Sequence, residues 1–266
     1  MTEYDYEYVN CNLCGADDTQ IIYEWGKSNV VKCNKCGLIY KNPRFPEKMV
    51  MLRYAVDDYS SGVFPDPKKQ IYNREINKIE SIVKKGKILD VGCGYGEFLK
   101  IASKMGWTAQ GVEVSSKCCK FASENYGLNV FRGTLRQAKF PEGYFDVVTM
   151  WDSLDFMYNP LSELLEVYRV LKLQGMILVR VRNAKFHIPV KHIFRNSRAV
   201  VHNYSFSPET VRLMLEKTGF KEIRVMNSSI TENIPFSRFL NLLVSFLNHA
   251  SNACVILPSL LAYARK

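Results

Sequence analysis

Four cysteines near the start of the chain have the spacing of metal ligands. They form two C-x2-C pairs, Cys11 with Cys14 and Cys33 with Cys36, and eighteen residues separate the pairs. Thiolates in this arrangement can meet at one tetrahedral zinc ion, and a site of four cysteines leaves no open position for a catalytic water. We therefore predict a structural zinc ribbon over residues 1–45. Two disulfides are the alternative, which a reducing compartment disfavours.

A glycine-rich turn forms a second chemical group. The sequence DVGCGYG starts at Asp90 after a short apolar run, and Glu113 ends the next apolar run. A strand, glycine turn, helix and strand ending in an acid form a doubly wound nucleotide site, in which the acid can bind ribose hydroxyls. The carboxylate of Asp90 would repel a pyrophosphate, whereas it suits an ammonium group. The charges therefore favour the methionine part of S-adenosylmethionine (SAM) over NAD.

Together these motifs resemble one enzyme family. DVGCGYG, the later GVEVS and the run 145–183 are similar to class I SAM-dependent methyltransferases, especially ubiquinone-type and glycan-associated small-molecule enzymes, some of which carry an N-terminal zinc ribbon. The resemblance implies that the glycine loop lines the methionine end of SAM, that Glu113 holds the ribose and that Thr134 and Leu135 lie beside the adenine. The implied cofactor-binding residues are Asp90, Gly92, Cys93, Gly94, Gly96, Glu113, Thr134, Leu135 and Trp151.

The candidate catalytic residues are less clearly marked. Methyl transfer requires alignment of donor and acceptor and exclusion of water, and a hydroxyl acceptor also needs a base. Related enzymes often carry an acid–histidine pair after the fourth strand, but here Asp155 is followed by Phe156. We therefore name His202 as the substitute base to test, with Asp152 and Asp155 as further catalytic candidates. A structural role for His202 is the alternative.

Apolar periodicity indicates the elements that must position these residues. We predict an α/β fold with a doubly wound seven-stranded sheet, and the resemblance implies the order 3-2-1-4-5-7-6 with the last strand antiparallel. Asn159–Pro160 and Ser207–Pro208 have the residue types of helix starts. The later strands are predicted over 129–131, 145–151, 176–181, 220–226 and 257–264.

The chain divides into three predicted parts. Residues 1–45 form the ribbon, 46–85 a helical linker and candidate lid, and 86–266 the SAM-binding domain. Within the last part, residues 234–250 have a polar stripe and a wide apolar face, so they predict an amphipathic helical insert. Core packing or a subunit contact is favoured over membrane contact for this insert.

The positive charge has a definite location. The chain carries a formal net charge of +10, and no Asp or Glu occurs from Val167 to Pro208. The Lys and Arg residues of this window are Arg169, Lys172, Arg180, Arg182, Lys185, Lys191, Arg195 and Arg198. A field of one sign attracts anions, although a solvated face is the plain alternative. We therefore expect O-methylation of a small anionic acceptor: a sugar, nucleotide-sugar, glycan or lipid-linked phosphate.

Two other functions compete with this prediction. An RNA-modifying methyltransferase would use the ribbon and the basic window together, but residues 1–45 carry five Lys/Arg against six Asp/Glu, so nucleic acid is the less favoured partner. A non-catalytic, cofactor-binding scaffold would explain the missing histidine after Asp155. Failure of the folded, zinc-loaded protein to bind SAM would favour the scaffold.

Composition limits the setting. The 266 residues are 47% hydrophobic, as in a folded protein, and no apolar run is long enough to span a membrane. The first ten residues lack the basic start and apolar core of a secretory signal, so we expect a cytoplasmic protein with reduced cysteines. Peripheral membrane contact and homo-oligomer formation stay open.

Overall fold

The computed structural model describes residues 6–24, 26–56, 69–186, 188, 202–228 and 259–266. Strands and helices of this part alternate along most of the chain. The strands are β1 Thr19–Tyr23, β2 Asn29–Cys33, β3 Ile39–Asn42, β4 Lys87–Val91, β5 Thr108–Glu113, β6 Asn129–Arg132, β7 Phe145–Trp151, β8 Leu171–Arg182, β9 Tyr204–Ser205, β10 Lys221–Ser228 and β11 Ser259–Arg265. The helices are α1 Glu47–Val56, α2 Lys69–Glu80, α3 Glu97–Lys104, α4 Ser116–Tyr126, α5 Leu135–Ala138, α6 Pro160–Val170 and α7 Pro208–Lys217, with a 3-10 turn at Leu154–Phe156.

Seven strands form the large sheet, in the order β6-β5-β4-β7-β8-β11-β10. Strand β11 is antiparallel to both of its neighbours, and β4 pairs in parallel with β5 and β7. The predicted fold class and strand order are therefore confirmed. Strand β8 begins five residues before the predicted position 176, so the predicted segment is the inner part of a longer strand.

The helices begin where capping residues predict. The side chains of Asn159 and Ser207 accept hydrogen bonds from the backbone N–H groups of Ser162 and Thr210, and a proline follows each cap. A proline is tolerated there because the first helical N–H has no partner within the helix. Both predicted helix starts are confirmed.

A second, four-stranded sheet has the order β1-β2-β3-β9. Its first three strands come from the predicted ribbon. The fourth, β9, comes from residues that precede α7, and it pairs with β3 through Ile39 opposite Ser205 and Tyr40 opposite Tyr204. The sequence did not indicate this strand. The ribbon sheet is therefore completed by a segment more than 150 residues away.

The buried side chains form two clusters, and alternate residues of β7 contribute to different clusters. Met150 belongs to the one that includes α6 and α7, and Trp151 to the one that includes α2 and α3. The first cluster also contains ribbon residues, among them Leu38 and Tyr40, together with Tyr204 of β9. The apolar side of the ribbon is therefore continuous with the core of the large sheet.

Some predictions concern residues that the structure does not describe. The helical insert 234–250 lies outside the described residues, and so do residues 57–68 of the candidate lid. Within the described part, no helix combines the length and the apolar character that crossing a membrane requires.

Candidate cofactor and metal sites

The four ribbon cysteines converge. The Sγ atoms of Cys11, Cys14, Cys33 and Cys36 all lie within 4.8 Å of one another. Cys11 Sγ is 3.4 Å from Cys36 Sγ, and Cys14 Sγ is 3.5 Å from Cys33 Sγ. Four sulfur ligands at such separations fit one tetrahedral zinc ion, with no position left for water. The donor set therefore fits a structural metal rather than a catalytic one.

Three of these thiols have shifted pKa values, and the shifts differ in direction. Burial raises the pKa of Cys11 to about 11 and also raises that of Cys36. Burial opposes ionisation of Cys33 too, but hydrogen bonds from the backbone N–H groups of Cys36 and Lys35 and from the Cys14 side chain lower its pKa overall. Zinc displaces the protons of its thiol ligands, so metal binding would relieve the cost of burying this cluster.

The glycine loop between β4 and α3 has a left-handed backbone at each of its three glycines, with φ of 74° at Gly92, 52° at Gly94 and 80° at Gly96. A Cβ atom on Gly92 would lie 2.6 Å from Ser153 Cβ, and one on Gly96 would lie 2.7 Å from Leu128 Cδ1. A Cβ atom on Gly94 would meet no atom within 4 Å. The loop is thus packed against the protein at both ends and open at its middle, where a ligand can approach the backbone.

Two carboxylates flank this opening. Glu113 Oε2 accepts a hydrogen bond of 2.9 Å from the Gly94 N–H, and its Oε1 accepts one of 2.8 Å from the Ser115 N–H. Asp90 is buried, and Thr149 Oγ1 donates to its Oδ1 at 2.8 Å. Because a carboxylate oxygen accepts more than one hydrogen bond, Glu113 can hold the loop and still receive ribose hydroxyls. This arrangement is compatible with SAM, and the predicted roles of Asp90 and Glu113 in binding it stay predictions.

Thr134 and Leu135 lie just after β6. The Thr134 hydroxyl accepts from the Gln137 N–H, and the Gln137 side chain accepts from the Thr134 N–H at 2.8 Å, which forms a capping box for α5. Leu135 is buried in the core. The polar groups of Thr134 therefore support the turn, and the predicted contact of these two residues with adenine stays a prediction.

Trp151 and Cys93 are buried close to the sheet. The ring of Trp151 packs edge-on against Tyr72 at 4.8 Å between centroids and tilts against Phe98 at 5.2 Å. Its Nε1 has no hydrogen-bond partner among the described residues.

Cys93 lies within the glycine loop. Burial raises the pKa of Cys93 well above that of a free thiol, with the charges of Asp90 and Glu113 adding to the effect. The Cys93 thiol therefore stays protonated and uncharged at neutral pH.

Asp152 follows β7 directly and has a strained left-handed backbone, with φ of 54°. Its carboxylate is ion-paired with the guanidinium of Arg180, which is itself buried and donates to Ser259 Oγ at 3.0 Å. Strain at a non-glycine residue persists only where the surroundings fix it, and it is common at functional sites. The ion pair joins the ends of β7, β8 and β11, and the catalytic role of Asp152 stays a prediction.

Asp155 lies in the 3-10 turn that follows and is fully buried. Neither of its carboxyl oxygens has a hydrogen-bond partner among the described residues. Burial and the nearby charge of Asp152 raise its pKa to about 7, against the lowering influence of its own backbone N–H and of the charge and backbone N–H of Arg182. A carboxyl group with this pKa can hold or release a proton near neutral pH.

His202 reaches the same turn from a distant part of the chain. Its ring packs edge-on against Phe156, with 3.8 Å between centroids and 71° between the ring planes. The next residue, Asn203, donates from Nδ2 to the Phe156 carbonyl oxygen at 2.8 Å. The structure therefore brings His202 beside the residue that follows Asp155, although 46 positions separate His202 from Phe156 along the chain.

Two supporting residues were not singled out from the sequence as site residues. Thr149 donates to Asp90, and Arg180 pairs with Asp152. A charged residue inside the apolar run of β8 is the signal that marks Arg180, because a buried arginine needs a partner. Arg195 and Arg198 of the basic window lie outside the described residues.

Comparisons with known proteins agree with this geometry. A family model described as "Methyltransferase domain" matches residues 68–225, more than half of the chain. An uncharacterized protein of Methanocaldococcus jannaschii is 26% identical over 170 residues, which are 63% of this chain and 80% of that protein. The ubiquinone biosynthesis O-methyltransferase of Thiobacillus denitrificans is 26% identical over 150 residues, 51% of this chain and 64% of the enzyme.

A solved structure shares the fold. The SAM-dependent methyltransferase from Archaeoglobus fulgidus superposes with a TM-score of 0.56 at 20% identity, covering 75% of this chain and 94% of the other. At this identity the similarity concerns the architecture.

Proposed function

We propose a specific acceptor chemistry for this chain, which belongs to the class I SAM-dependent methyltransferases. In this proposal the methyl group passes to an oxygen atom of a small anionic acceptor, and Asp155 and His202 manage the proton that the acceptor loses. SAM supplies the methyl group when bound. The observation that carries the proposal is the buried carboxyl group of Asp155.

Asp155 has the properties of a general base for a hydroxyl group. Bases work best when their pKa is near the working pH, and burial with the charge of Asp152 raises the pKa of Asp155 to about 7. Neither carboxyl oxygen makes a hydrogen bond of ordinary geometry with the described residues, so each can accept one from an acceptor hydroxyl. The turn follows β7 and lies next to the glycine loop. A hydrogen bond of 2.7 Å from Ser153 Oγ to the Val91 carbonyl oxygen joins the two segments.

His202 completes the proposed pair. Related enzymes hold the acid and the histidine in one segment, whereas here the histidine packs against Phe156 from a separate segment. In the proposal, the acceptor hydroxyl passes its proton to the His202 imidazole or directly to the ionised carboxylate of Asp155. When the imidazole takes the proton, the carboxylate stabilises its positive charge. Either group alone could hold the proton, which is why both are tested below.

The basic window, residues 167–208, supports a negatively charged acceptor. Arg180 and Arg182 end β8 at the same edge of the sheet as Asp152 and the glycine loop. The Arg180 guanidinium is engaged by Asp152, and Arg182 is close enough to influence the pKa of Asp155. We propose that Arg182, with Arg195 and Arg198, attracts a phosphate or carboxylate on the acceptor.

The first test is calorimetric titration of zinc-loaded protein with SAM and, separately, with NAD. Production of S-adenosylhomocysteine (SAH) is then measured with pairs of hydroxyl compounds that differ only in a phosphate group. We expect SAM to bind, NAD not to bind, and the phosphorylated member of a pair to be methylated faster. Equal rates for both members would refute the anionic acceptor, and SAH formation stimulated only by RNA would favour the RNA-modifying alternative.

The second test concerns the base. Asp155→Asn should lower the rate of SAH formation roughly 100-fold to 10,000-fold, and His202→Gln should lower it by a comparable factor. The wild-type rate should rise with pH through about 7 as Asp155 loses its proton, and the asparagine variant should lack this rise. Glu124→Gln, at an exposed position of α4, is the matched control. An unchanged rate in both Asp155→Asn and His202→Gln would refute the proposed pair.

A further inference from the structure

One buried arginine of the ribbon contacts two segments of the large domain, by which we mean the part of the chain after α1 that carries the seven-stranded sheet. Arg44 follows β3, and its Nε is 3.2 Å from Glu7 Oε1 within the ribbon. Its Nη1 donates to the Tyr158 carbonyl oxygen at 2.8 Å and to the Tyr204 hydroxyl at 2.6 Å. The guanidinium also lies 4.0 Å above the Tyr158 ring. Arg44 thus joins the ribbon to the segment after the Asp155 turn and to β9.

Strand β9 lies between the ribbon and the Asp155 turn. On one side it pairs with β3, where the Lys41 N–H donates to the Asn203 carbonyl oxygen at 3.0 Å. On the other side, Asn203 Nδ2 donates to Phe156. His202 immediately precedes these contacts. The position of His202 beside Phe156 is therefore set by a ribbon strand as much as by the large domain.

The ribbon strand in turn depends on the cysteine cluster. Strand β2 ends at Cys33, and β3 begins at Ile39, three residues after Cys36. The Cys33 N–H donates to the Leu38 carbonyl oxygen at 2.9 Å, which fixes the approach to β3. A zinc ion bound to both cysteine pairs would hold this turn closed, as in small domains that fold only when they bind metal.

We propose that the zinc ribbon is the positioning element of the acceptor side of the site: metal binding fixes β3, and β3 with Arg44 holds β9 and His202 beside Phe156. Arg44 is the positioning residue in this connection. The functional consequence rests on the proposed role of His202, but the physical connection does not. On the cofactor side, the hydrogen bond that closes the loop, from the Gly94 N–H to Glu113, joins two residues of the large domain.

The test compares Arg44→Gln with Asn12→Ala in the full-length, zinc-loaded chain. Asn12 also joins the ribbon to the large domain, but at α6, where it contacts Asn159 and Leu161. Hydrogen exchange is measured by mass spectrometry for β3, β9 and the glycine loop. Arg44→Gln should speed exchange in β3 and β9 roughly tenfold to hundredfold, with no change in the glycine loop. Asn12→Ala should leave β9 as in the wild type.

Metal removal provides the second arm. Stripping zinc with a chelator should produce the same faster exchange in β3 and β9, with SAH affinity within about twofold of the loaded protein, and added zinc should reverse it. If Arg44→Gln folds poorly, Tyr204→Phe takes its place. It removes the hydroxyl that accepts from Arg44 and donates to the Tyr158 carbonyl oxygen, and it should show a smaller increase. Unchanged exchange in β9 after both zinc removal and Tyr204→Phe would overturn the inference, and so would simultaneous loss of protection in the glycine loop.

These outcomes are independent of the acceptor chemistry. If Asp155→Asn and His202→Gln keep full activity but zinc removal still loosens β9, the proposed base pair is wrong and the positioning inference holds. Once an acceptor is known, Arg44→Gln should change kcat or the acceptor KM and leave the SAM KM unchanged.

Discussion

The cofactor side of the site and the proposed acceptor side are held together by contacts over different distances along the chain. The contact that closes the cofactor loop, from Gly94 to Glu113, joins residues 19 positions apart. On the acceptor side, Arg44 contacts Tyr158 and Tyr204 across separations of 114 and 160 positions. The hydrogen bond that closes the cofactor loop is thus local, whereas the proposed acceptor side is assembled from the ribbon, the turn after β7 and β9.

The two sides also differ in the hydrogen bonds that their acidic side chains accept. The carboxylates of Asp90 and Glu113 accept hydrogen bonds from Thr149 and from backbone N–H groups. Asp155 is buried without a hydrogen-bond partner among the described residues. Burying a carboxylate without partners is unfavourable, so the cofactor side stabilises its charges while the acceptor side holds an acid that resists ionisation.

The largest expected effect comes from removing this acid. The native state keeps the Asp155 proton up to about pH 7, whereas the unfolded chain releases it near the ordinary pKa of 3.8. Between these values the native state binds more protons, so this residue lowers stability as the pH rises from about 4 to 7. Asp155→Asn should therefore gain stability over the wild type across that interval, up to about 4 kcal/mol above pH 7. Urea unfolding at pH 5 and pH 8 measures the difference, and a gain independent of pH would contradict it.

The same comparison explains what the sequence could predict. The glycine loop, Glu113 and the helix caps are local sequence patterns, and apolar runs mark the strands. The order of the strands was implied by the family resemblance, and the structure confirms it. Strand β9 has two residues and no periodicity, and its pairing with β3 depends on the folded ribbon. The contacts of Arg44, and the pairing of Asp152 with Arg180, likewise join segments that no local pattern connects.

Two glycines of the same loop test whether the cofactor side is packed at its ends and open in the middle. Gly92→Ala places a Cβ atom 2.6 Å from Ser153 and adds left-handed strain, so we expect a loss of about 3 kcal/mol in unfolding free energy. Gly94→Ala meets no atom within 4 Å and should lose about 1 kcal/mol through strain alone. Its new methyl group should instead weaken SAM binding. Thermal unfolding and SAM titration separate the two effects, and equal stability losses would argue against this packing.

Glu113→Gln tests the local link directly. A glutamine side chain has one acceptor oxygen, so it cannot satisfy both the Gly94 and the Ser115 N–H groups, and one would face an NH2 group. We expect the SAM dissociation constant to rise about tenfold to hundredfold, measured by calorimetry. Glu124→Gln on the exposed side of α4 is the control. Unchanged SAM affinity would show that the loop holds its shape without the carboxylate.

The smallest expected effect concerns Thr134, which the resemblance places beside adenine and which caps α5 in the structure. Thr134→Ala removes the acceptor for the Gln137 N–H, so we expect a loss of about 1 kcal/mol in unfolding free energy. Thr134→Ser keeps the hydroxyl and should recover most of that stability. If SAM affinity also returns with serine, the hydroxyl acts by fixing the turn after β6. If affinity falls with serine while stability is kept, the threonine methyl group is needed in the adenine pocket, and the cofactor side then extends beyond the glycine loop and Glu113.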